Sequence, residues 1–165
     1  MVLSRNKSST FAALFALAAM AQYAVLLTTP VHPFIDGFSG GLASLSAWLI
    51  HAFGGTCLRH AAVLSNPALG FSMEVRDGCN GVNVVILLWA AIAAYPSRLK
   101  WKLIGWGGGL AAIQILNLFR LISLFYLGQY NNALFEFAHL YLWETLIIID
   151  AMVVFALWTR QASQE

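Results

Sequence analysis

The sequence predicts an all-α polytopic membrane protein with about four transmembrane helices, an outer amphipathic helix and a short β-hairpin outside the membrane. Of its 165 residues, 60% are hydrophobic and only 10% are charged. A chain of this size cannot bury so much apolar surface in a core of its own, so the bilayer must solvate much of it. The chain shows no internal repeat or low-complexity tract, and we expect one membrane domain over residues 1–165.

Four apolar runs are long enough to cross, or nearly cross, a bilayer. In chain order they are Phe11–Thr29, Asn80–Tyr95, Leu103–Leu127 and about Leu140–Leu157. The first run also fits a signal peptide, since Arg5 and Lys7 precede it and small residues stand at Ala19 and Ala21. It continues through Leu27, beyond the usual length of a signal core, so we expect the first helix to be retained.

The segment after the first span is predicted to lie on or outside the membrane surface. Pro30 and Pro33 are expected to end the first helix. Residues 38–53 are less apolar and predict an amphipathic helix on the membrane surface, with polar side chains at Ser39, Ser44, Ser46 and His51. A fifth membrane span is the alternative for this stretch.

Two short strands are predicted next, over Leu58–Leu64 and Gly70–Arg76, with Asn66 and Pro67 in the turn. In the second strand apolar and polar residues alternate, which is the period of a half-buried strand. Such a hairpin belongs outside the bilayer, where water can satisfy its edges. It would deliver the residues that follow it to the membrane surface.

The basic residues predict the orientation of the chain. A four-span arrangement places on one side Arg5, Lys7, Arg98, Lys100, Lys102 and Arg160. The positive-inside rule makes that side cytoplasmic, so both termini are expected inside and residues 30–78 and 128–139 outside. In the third span, Gly105 and Gly109 have the spacing that lets helices approach closely.

Cys79 is the first candidate functional residue, because it stands between the predicted strand and an apolar helix. A thiol in the first turn of a helix feels the positive end of the backbone dipole, which favours the nucleophilic thiolate. Cys79 could instead be a buried structural residue. It could also pair with Cys57 in a disulfide, as in a non-catalytic binding or assembly subunit.

Arg120 and His139 are predicted to reach the same outer level as Cys79. Counted as helix from the inner ends of their spans, the three positions lie roughly 26 to 30 Å away. His139 could then exchange a proton with the thiol, and Arg120 could stabilise an oxyanion or bind the substrate. Asn117, on the same helix face as Arg120, could orient it or contact the scissile amide.

Plainer interpretations of these residues remain. Arg120 could snorkel to the membrane surface, and His139 could belong to an interfacial aromatic belt. Glu136 could hold the ring of His139, whereas Glu144 and Asp150 are expected to pair within the helix bundle.

Several classes of function are disfavoured. Four outward residues could bind zinc, but their spacing lacks a second paired motif, so we expect neither a metal nor a cofactor: Cys57, His60, Cys79 and His139. The motifs Cys-x-x-Cys, His-Glu-x-x-His and Gly-x-Ser-x-Gly are absent from the sequence, which argues against thiol oxidases and the corresponding proteases and hydrolases. The net charge of +2 is dispersed, which argues against a nucleic-acid partner.

The segments Cys79-Asn80-Gly81 and Asn117-Leu118-Phe119-Arg120, with His139, resemble the exosortase/archaeosortase family of polytopic membrane transpeptidases. The resemblance covers about residues 71–160, and the short chain is most like the exosortase H type. It implies Cys79 as the nucleophile, His139 as the acid/base partner and Arg120 as the third member of the site. Asn117 and Asn80 would support the site or contact the substrate. Family members often have Ser where this chain has Asn80, so no role for a neighbouring hydroxyl carries over.

The resemblance also implies the substrate and the compartment. The substrates would be proteins with a C-terminal sorting tail, which consists of a short motif of the Ile-Pro-Thr-Leu type, a transmembrane helix and a basic cluster. Such a tail presents its motif at the outer face of the bacterial inner membrane, so the active site would face the periplasm within surrounding membrane lipid. Attack by Cys79 would give a thioester, resolved by an acceptor nucleophile or by water.

Overall fold

The computed structural model describes residues 2–28 and 31–163. Its elements in chain order are helices α1 (Val2–Leu26) and α2 (His32–Ala52), strands β1 (Leu58–His60), β2 (Val63–Asn66) and β3 (Phe71–Glu74), and helices α3 (Val82–Ala94), α4 (Leu99–Tyr130), α5 (Asn132–Phe137) and α6 (Trp143–Ala162). A π-helical segment, Ala138–Leu142, joins α5 to α6. The chain is therefore a mostly helical membrane protein with one small sheet.

Among the described residues, three helical stretches are long and apolar enough to cross a membrane: Ser8–Leu26, Leu99–Tyr130 and Asn132–Ala162. The second predicted span corresponds to α3, which has only 13 residues. At a rise of 1.5 Å per residue it extends about 20 Å, less than the roughly 30 Å of a hydrocarbon core. Helix α1 ends at Leu26, and its expected end at Pro30 lies outside the described residues.

Helix α2 begins at His32, six residues before the amphipathic helix predicted over 38–53. Pro33 lies in its first turn, where the missing N–H of proline costs no intrahelical hydrogen bond. Pro33 therefore begins this helix instead of ending the previous one. The buried residues of α2 recur at intervals of three and four, as on one helix face: Ser39, Leu42, Ala43, Ser46, Ala47 and Ile50.

The sheet differs from the predicted two-stranded hairpin. It has three antiparallel strands in the order β1-β2-β3. The stretch predicted as one strand over 58–64 is split by a turn at Ala61, whose φ of 51° reverses the chain. Strand β2 pairs with β3 so that Leu64 lies opposite Met73, and both side chains are buried. The sheet thereby turns one apolar face towards the helices.

Two clusters of buried apolar side chains hold these elements together. The first joins α2, the sheet and the C-terminal half of α4, and it includes Ile50, Leu64, Val75, Leu124 and Phe125. Cys79 and Ala138 belong to this cluster as well, so the candidate site is built on it. The second cluster joins α3, α4 and α6 and includes Leu88, Ile113, Ile147 and Trp158.

Tryptophans and glycines fix α3 and α6 against α4. Trp89 and Trp106 each donate an indole N–H to the other's backbone carbonyl, at 3.0 and 3.2 Å. Gly105 lies against Trp158, and Gly109 lies against Leu88, so closely that a Cβ atom at either glycine would clash. The close helix approach predicted from this glycine pair is present in the structure.

Candidate active site

Cys79 lies in a turn that links β3 to α3. Its backbone N–H donates to the carbonyl of Arg76 at 2.9 Å, and the residue is 8% exposed. Helix α3 begins after its N-cap, Gly81, which has a φ of 74°. Cys79 therefore precedes the helix, and the expectation that it lies in the first helical turn is wrong, because the left-handed glycine delays the start of the helix.

Asn80 fixes the turn that carries Cys79. Its side-chain NH₂ donates to Ser39 Oγ at 3.3 Å and to Asp77 Oδ1 at 3.2 Å. Its Oδ1 atom accepts the backbone N–H of Val82 at 3.1 Å, which satisfies a free donor at the start of α3. Asn80 is 1% exposed, so its side chain is shielded from solvent. These bonds make Asn80 a structural support of the turn that carries Cys79.

A chain of amide hydrogen bonds connects this turn to α4. Gln114 Nε2 donates to the backbone carbonyl of Asn80 at 3.2 Å, and Gln114 Oε1 accepts from Asn117 Nδ2 at 3.3 Å. Because a backbone carbonyl can only accept, it fixes the orientation of Gln114 and through it that of Asn117. A Cβ atom at Gly81 would lie 3.1 Å from Gln114 Nε2, so the glycine permits this close approach.

His139 is the partner of the Cys79 thiol. The Sγ atom lies 3.8 Å from both Nδ1 and Nε2 of the imidazole, within hydrogen-bond range for sulfur. The two residues are 60 positions apart in sequence. Their contact brings together the two residues predicted as nucleophile and acid/base partner.

The ring of His139 is held by an aromatic side chain. Phe135 stacks on it with ring centroids 5.7 Å apart and an interplanar angle of 17°. Phe135 in turn meets the edge of Phe71 from strand β3, at 5.8 Å. Glu136, the residue expected to hold the ring, instead accepts a hydrogen bond from Asn132 at 3.1 Å. His139 lies in the π-helical segment, a form of helix that is frequent at functional sites.

Arg120 is buried inside the bundle and paired with Glu144. Its Nη2 atom donates to Glu144 Oε1 at 2.7 Å, and its side chain is only 1% exposed, which excludes snorkelling to a membrane surface. Helix α4 continues ten residues beyond Arg120 to Tyr130, so Arg120 lies within the helix and not at its outer end. The prediction that Glu144 pairs within the bundle is confirmed, whereas Asp150, predicted to do the same, has a buried Oδ2 atom without a hydrogen-bond partner in the described part of the chain.

Two polar atoms on this face of α4 are buried without a hydrogen-bond partner in the described part of the chain, Arg120 Nε and Asn117 Oδ1. One is a donor and the other an acceptor, and they come from residues three apart on the helix. Unsatisfied buried groups are rare in folded proteins, and a functional role is one explanation for them. Asn117 was predicted to orient Arg120, but its side chain donates to Gln114 instead. The side chain that orients Arg120 is Glu144.

The environment of Cys79 raises the pKa of its thiol. Burial is the main cause, because it penalises the charged thiolate; the positive charge of Arg120 lowers the pKa and the negative charge of Glu144 raises it. Cys79 lies two residues before the N-cap of α3, outside the first turn in which the helix dipole acts most strongly. The thiol therefore needs a base to take its proton, and His139 is in contact with it.

The alternative sites are not assembled. Both cysteines of the chain, Cys57 and Cys79, are free and lie within the described residues. The Cys57 thiol contacts the carbonyl of Leu58 at 3.7 Å. His60 is exposed on β1, and no group of three metal-binding side chains occurs within residues 2–28 and 31–163.

Sequence reasoning missed Gln114, Phe135 and the role of Ser39. A glutamine within an apolar span is itself a signal, because polar groups in such segments are expensive unless they are used. Phe135 stands four residues before His139, a spacing at which helical side chains meet. The contact of Ser39 with Asn80 spans 41 residues and had no signal in the sequence.

Comparison with known proteins gives one family. A family model described as transmembrane exosortase (Exosortase_EpsH) matches residues 2–159. No curated protein and no solved structure gives a match. The matched range includes the sheet, the cysteine turn and the helices that carry Gln114, Arg120 and His139. The chain therefore belongs to the transmembrane exosortase family.

Proposed function

We propose that the protein is a membrane-embedded cysteine transpeptidase or protease in which Cys79 is the nucleophile and His139 the acid/base residue. The contact of 3.8 Å between the thiol and the imidazole is the observation that carries the proposal. Membership of a family of cysteine transpeptidases supports the reaction class. A free, buried thiol beside a histidine is the arrangement that thiol acyl transfer requires.

The first half-reaction forms a thioester. As Cys79 Sγ attacks the carbonyl carbon of the scissile peptide bond, His139 takes the thiol proton. The C–N bond then breaks, and His139 gives the proton to the departing amine. In the second half-reaction an amine acceptor or water attacks the thioester, loses its proton to His139 and regenerates the thiol. An amine acceptor makes the reaction a transpeptidation, and water makes it a hydrolysis.

Arg120 supplies the positive charge of the site. The tetrahedral intermediates of both half-reactions carry a negative oxygen, which a buried guanidinium stabilises more strongly than one in water. Glu144 binds one end of the Arg120 guanidinium, and the Nε–H of Arg120 has no acceptor in the described part of the chain. Because Glu144 neutralises part of the charge before substrate arrives, Arg120 can remain buried in the resting enzyme.

The proposed substrates are proteins with a C-terminal tail that contains a short motif, a transmembrane helix and a basic cluster. With the basic end of the tail in the cytoplasm, the motif emerges at the outer face of the bacterial inner membrane. In the four-span arrangement predicted from the sequence, the basic residues favour the same orientation, which would have the site face the periplasm. Asn117, whose Oδ1 atom has no partner in the described part of the chain, would accept a backbone N–H of the motif.

The test uses membranes from cells that produce the protein together with a tailed reporter protein. Processing is followed as a change in reporter size for the wild type, Cys79→Ala and Cys57→Ala. We expect processing by the wild type and Cys57→Ala, and none by Cys79→Ala at equal protein levels. A membrane-impermeant maleimide added to intact spheroplasts should label Cys79 from outside. Processing that survives Cys79→Ala would rule out the mechanism.

A further inference from the structure

An apolar cavity of about 530 Å³ lies between α1, α2, α3 and α4. Its size falls within the range of roughly 300 to 1,000 Å³ that is usual for ligand pockets. Nearly all of its lining is hydrocarbon, with Gln22 and Gln114 as the polar side chains. Two residues of its lining, Val25 and Phe34, are 58% and 77% exposed, so the cavity borders the outer surface of the bundle. In a membrane this surface faces lipid, so an apolar molecule in the bilayer can reach the cavity from the side.

The cavity adjoins the turn that carries the nucleophile. Gln114 lines it and also donates to the carbonyl of Asn80, the residue that follows Cys79. Val82 lines it too, and its N–H is bonded to the Asn80 side chain. Along α3 the lining continues through Val85, Ile86 and Trp89, that is, away from Cys79 for about two helical turns. The cavity therefore begins at two residues that hold the turn carrying Cys79, and it extends from there into the bundle.

We infer that this cavity binds the first apolar side chains of the substrate's own transmembrane helix, immediately after the peptide bond that Cys79 attacks. The inference rests on the proposed function. A tail whose motif lies at Cys79 and whose next residues enter the bilayer runs beside α3 and in the same direction. Its first helical turns then meet Val82, Val85 and Ile86, and large apolar residues there fill the cavity. Recognition of the tail is thus hydrophobic and lies next to the catalytic turn.

The occupant follows from the position of the cavity. A lipid acyl chain would bind equally well in any apolar groove along the bundle. This cavity instead shares two lining residues, Val82 and Gln114, with the hydrogen bonds that hold the nucleophile turn. A side chain bound here therefore contacts two residues that also hold the Cys79 turn. That continuity favours a segment of the substrate as the occupant.

Photo-crosslinking tests the inference without depending on catalysis. The probe is a synthetic peptide with a polar N-terminal part, an apolar helix of about 20 residues and a lysine cluster at its end. One version carries a diazirine-bearing leucine in the first helical turn, and the other carries it at the centre of the helix. Both are reconstituted with the full chain in liposomes, as wild type and as Cys79→Ala. The first version of the probe should crosslink to the protein segments that contain Val25 and Val85, in the wild type and in Cys79→Ala alike. The second version should not crosslink to these segments.

Matched variants on α1 give the control. Ala21 lines the cavity, whereas Ala24, three residues later and also exposed, is not part of its lining. Ala21→Trp should fill the cavity, abolish most of the crosslinking and raise the reporter concentration that gives half-maximal processing, while the alkylation rate of Cys79 stays at the wild-type value. Ala24→Trp should leave all three measurements unchanged.

The possible outcomes separate this inference from the proposed function. Equal crosslinking by Ala21→Trp and wild type would overturn the inference, as would labelling of the cavity by a diazirine fatty acid that the tail peptide cannot displace. In either case processing could still require Cys79. Crosslinking that follows the expected pattern together with processing that survives Cys79→Ala would reject the proposed chemistry and retain the binding site.

Discussion

The Sγ atom of Cys79 lies 3.8 Å from both ring nitrogens of His139, although 60 residues separate them in the chain. One residue comes from a turn that follows the sheet, and the other from a π-helical segment between α5 and α6. Both are joined to the same buried apolar cluster, through Cys79 itself and through Ala138. Their contact is thus a product of core packing, and it makes the roles of individual neighbours testable.

Removal of the proposed base, His139, should slow thioester formation strongly, whereas removal of the proposed nucleophile, Cys79, should abolish it. Cys79→Ala leaves no group to form a thioester, so acyl-enzyme formation should be undetectable. His139→Ala should lower the rate of thioester formation by roughly 10² to 10⁴-fold, the usual contribution of general acid–base catalysis. The measurement is trapping of the acyl-enzyme by gel shift in purified protein. A His139→Ala enzyme with wild-type rates would exclude its role, and Cys57→Ala serves as the control.

The reactivity of Cys79 should depend on two opposing charges. Burial raises the pKa of the thiol, Arg120 lowers it and Glu144 raises it. Removing the negative charge with Glu144→Gln should therefore move the pH profile of Cys79 alkylation to lower pH, because the thiolate forms more readily. Arg120→Gln should move it to higher pH. The profile is measured with a small iodoacetamide reagent in a Cys57→Ala background, with His139→Gln as a check on the third nearby titratable group.

Opposite shifts in these two variants are required by the electrostatics. Shifts in the same direction would mean that loss of the ion pair rearranges the site, and that the charges do not act directly on the thiol. Since Arg120 is buried and Glu144 is partly exposed, Glu144→Gln should also cost more folding stability than Arg120→Gln, because it leaves a buried guanidinium without its counter-charge.

Gln114 is expected to position the nucleophile turn. Gln114→Glu keeps the size of the side chain and the acceptor for Asn117, but it loses the donor to the Asn80 carbonyl. A buried hydrogen-bonding group left unpaired costs about 1 to 3 kcal/mol, so kcat should fall by roughly tenfold or more with a smaller change in KM. Single-turnover kinetics measure the split. Gln129→Glu, on the same helix but bonded to Asn66 and the Phe125 carbonyl, is the matched control.

If Gln114→Glu and Gln129→Glu lost kcat in proportion to their loss of thermal stability, the effect would be structural and the positioning role of Gln114 would be contradicted. A normal kcat in Gln114→Glu would show that the turn is held sufficiently by Ser39 and Asp77 through Asn80.

Phe135 is expected to orient the imidazole. Phe135→Leu removes the stacked ring at 5.7 Å while keeping the side chain apolar, and Phe135→Tyr keeps the ring. Aromatic contacts of this kind are worth about 0.5 to 1.5 kcal/mol, so thioester formation should slow by roughly 2- to 12-fold in Phe135→Leu. Phe135→Tyr should restore the rate. The NMR linewidth of ¹³C-labelled His139 should report increased ring motion only in the leucine variant, and equal rates in both variants would contradict the positioning role.

Helix α3 and the sheet show which features local sequence patterns predict and which they miss. Alternation over 71–75 predicted a strand, and β3 is present over Phe71–Glu74. The run over 58–64 was predicted as a single strand because it contains no glycine. The turn at Ala61 needs a positive φ, which a glycine would have indicated and an alanine does not. Likewise the apolar run predicted as a span over Asn80–Tyr95 forms a helix of only 13 residues, which begins after Gly81 and ends before Pro96.

The sequence by itself determined the membrane class and the family, and it predicted three site residues, Cys79, Arg120 and His139. Composition and long apolar runs dictate the solvent in which the chain folds, and rare polar residues in such runs stand out. The tertiary structure alone decided which neighbours these residues contact. The stacking of Phe135, the pairing of Arg120 with Glu144 and the amide chain through Gln114 depend on which helix faces meet. Helix faces meet through side-chain packing across distant segments, and hydrophobic periodicity along one helix does not specify its partner.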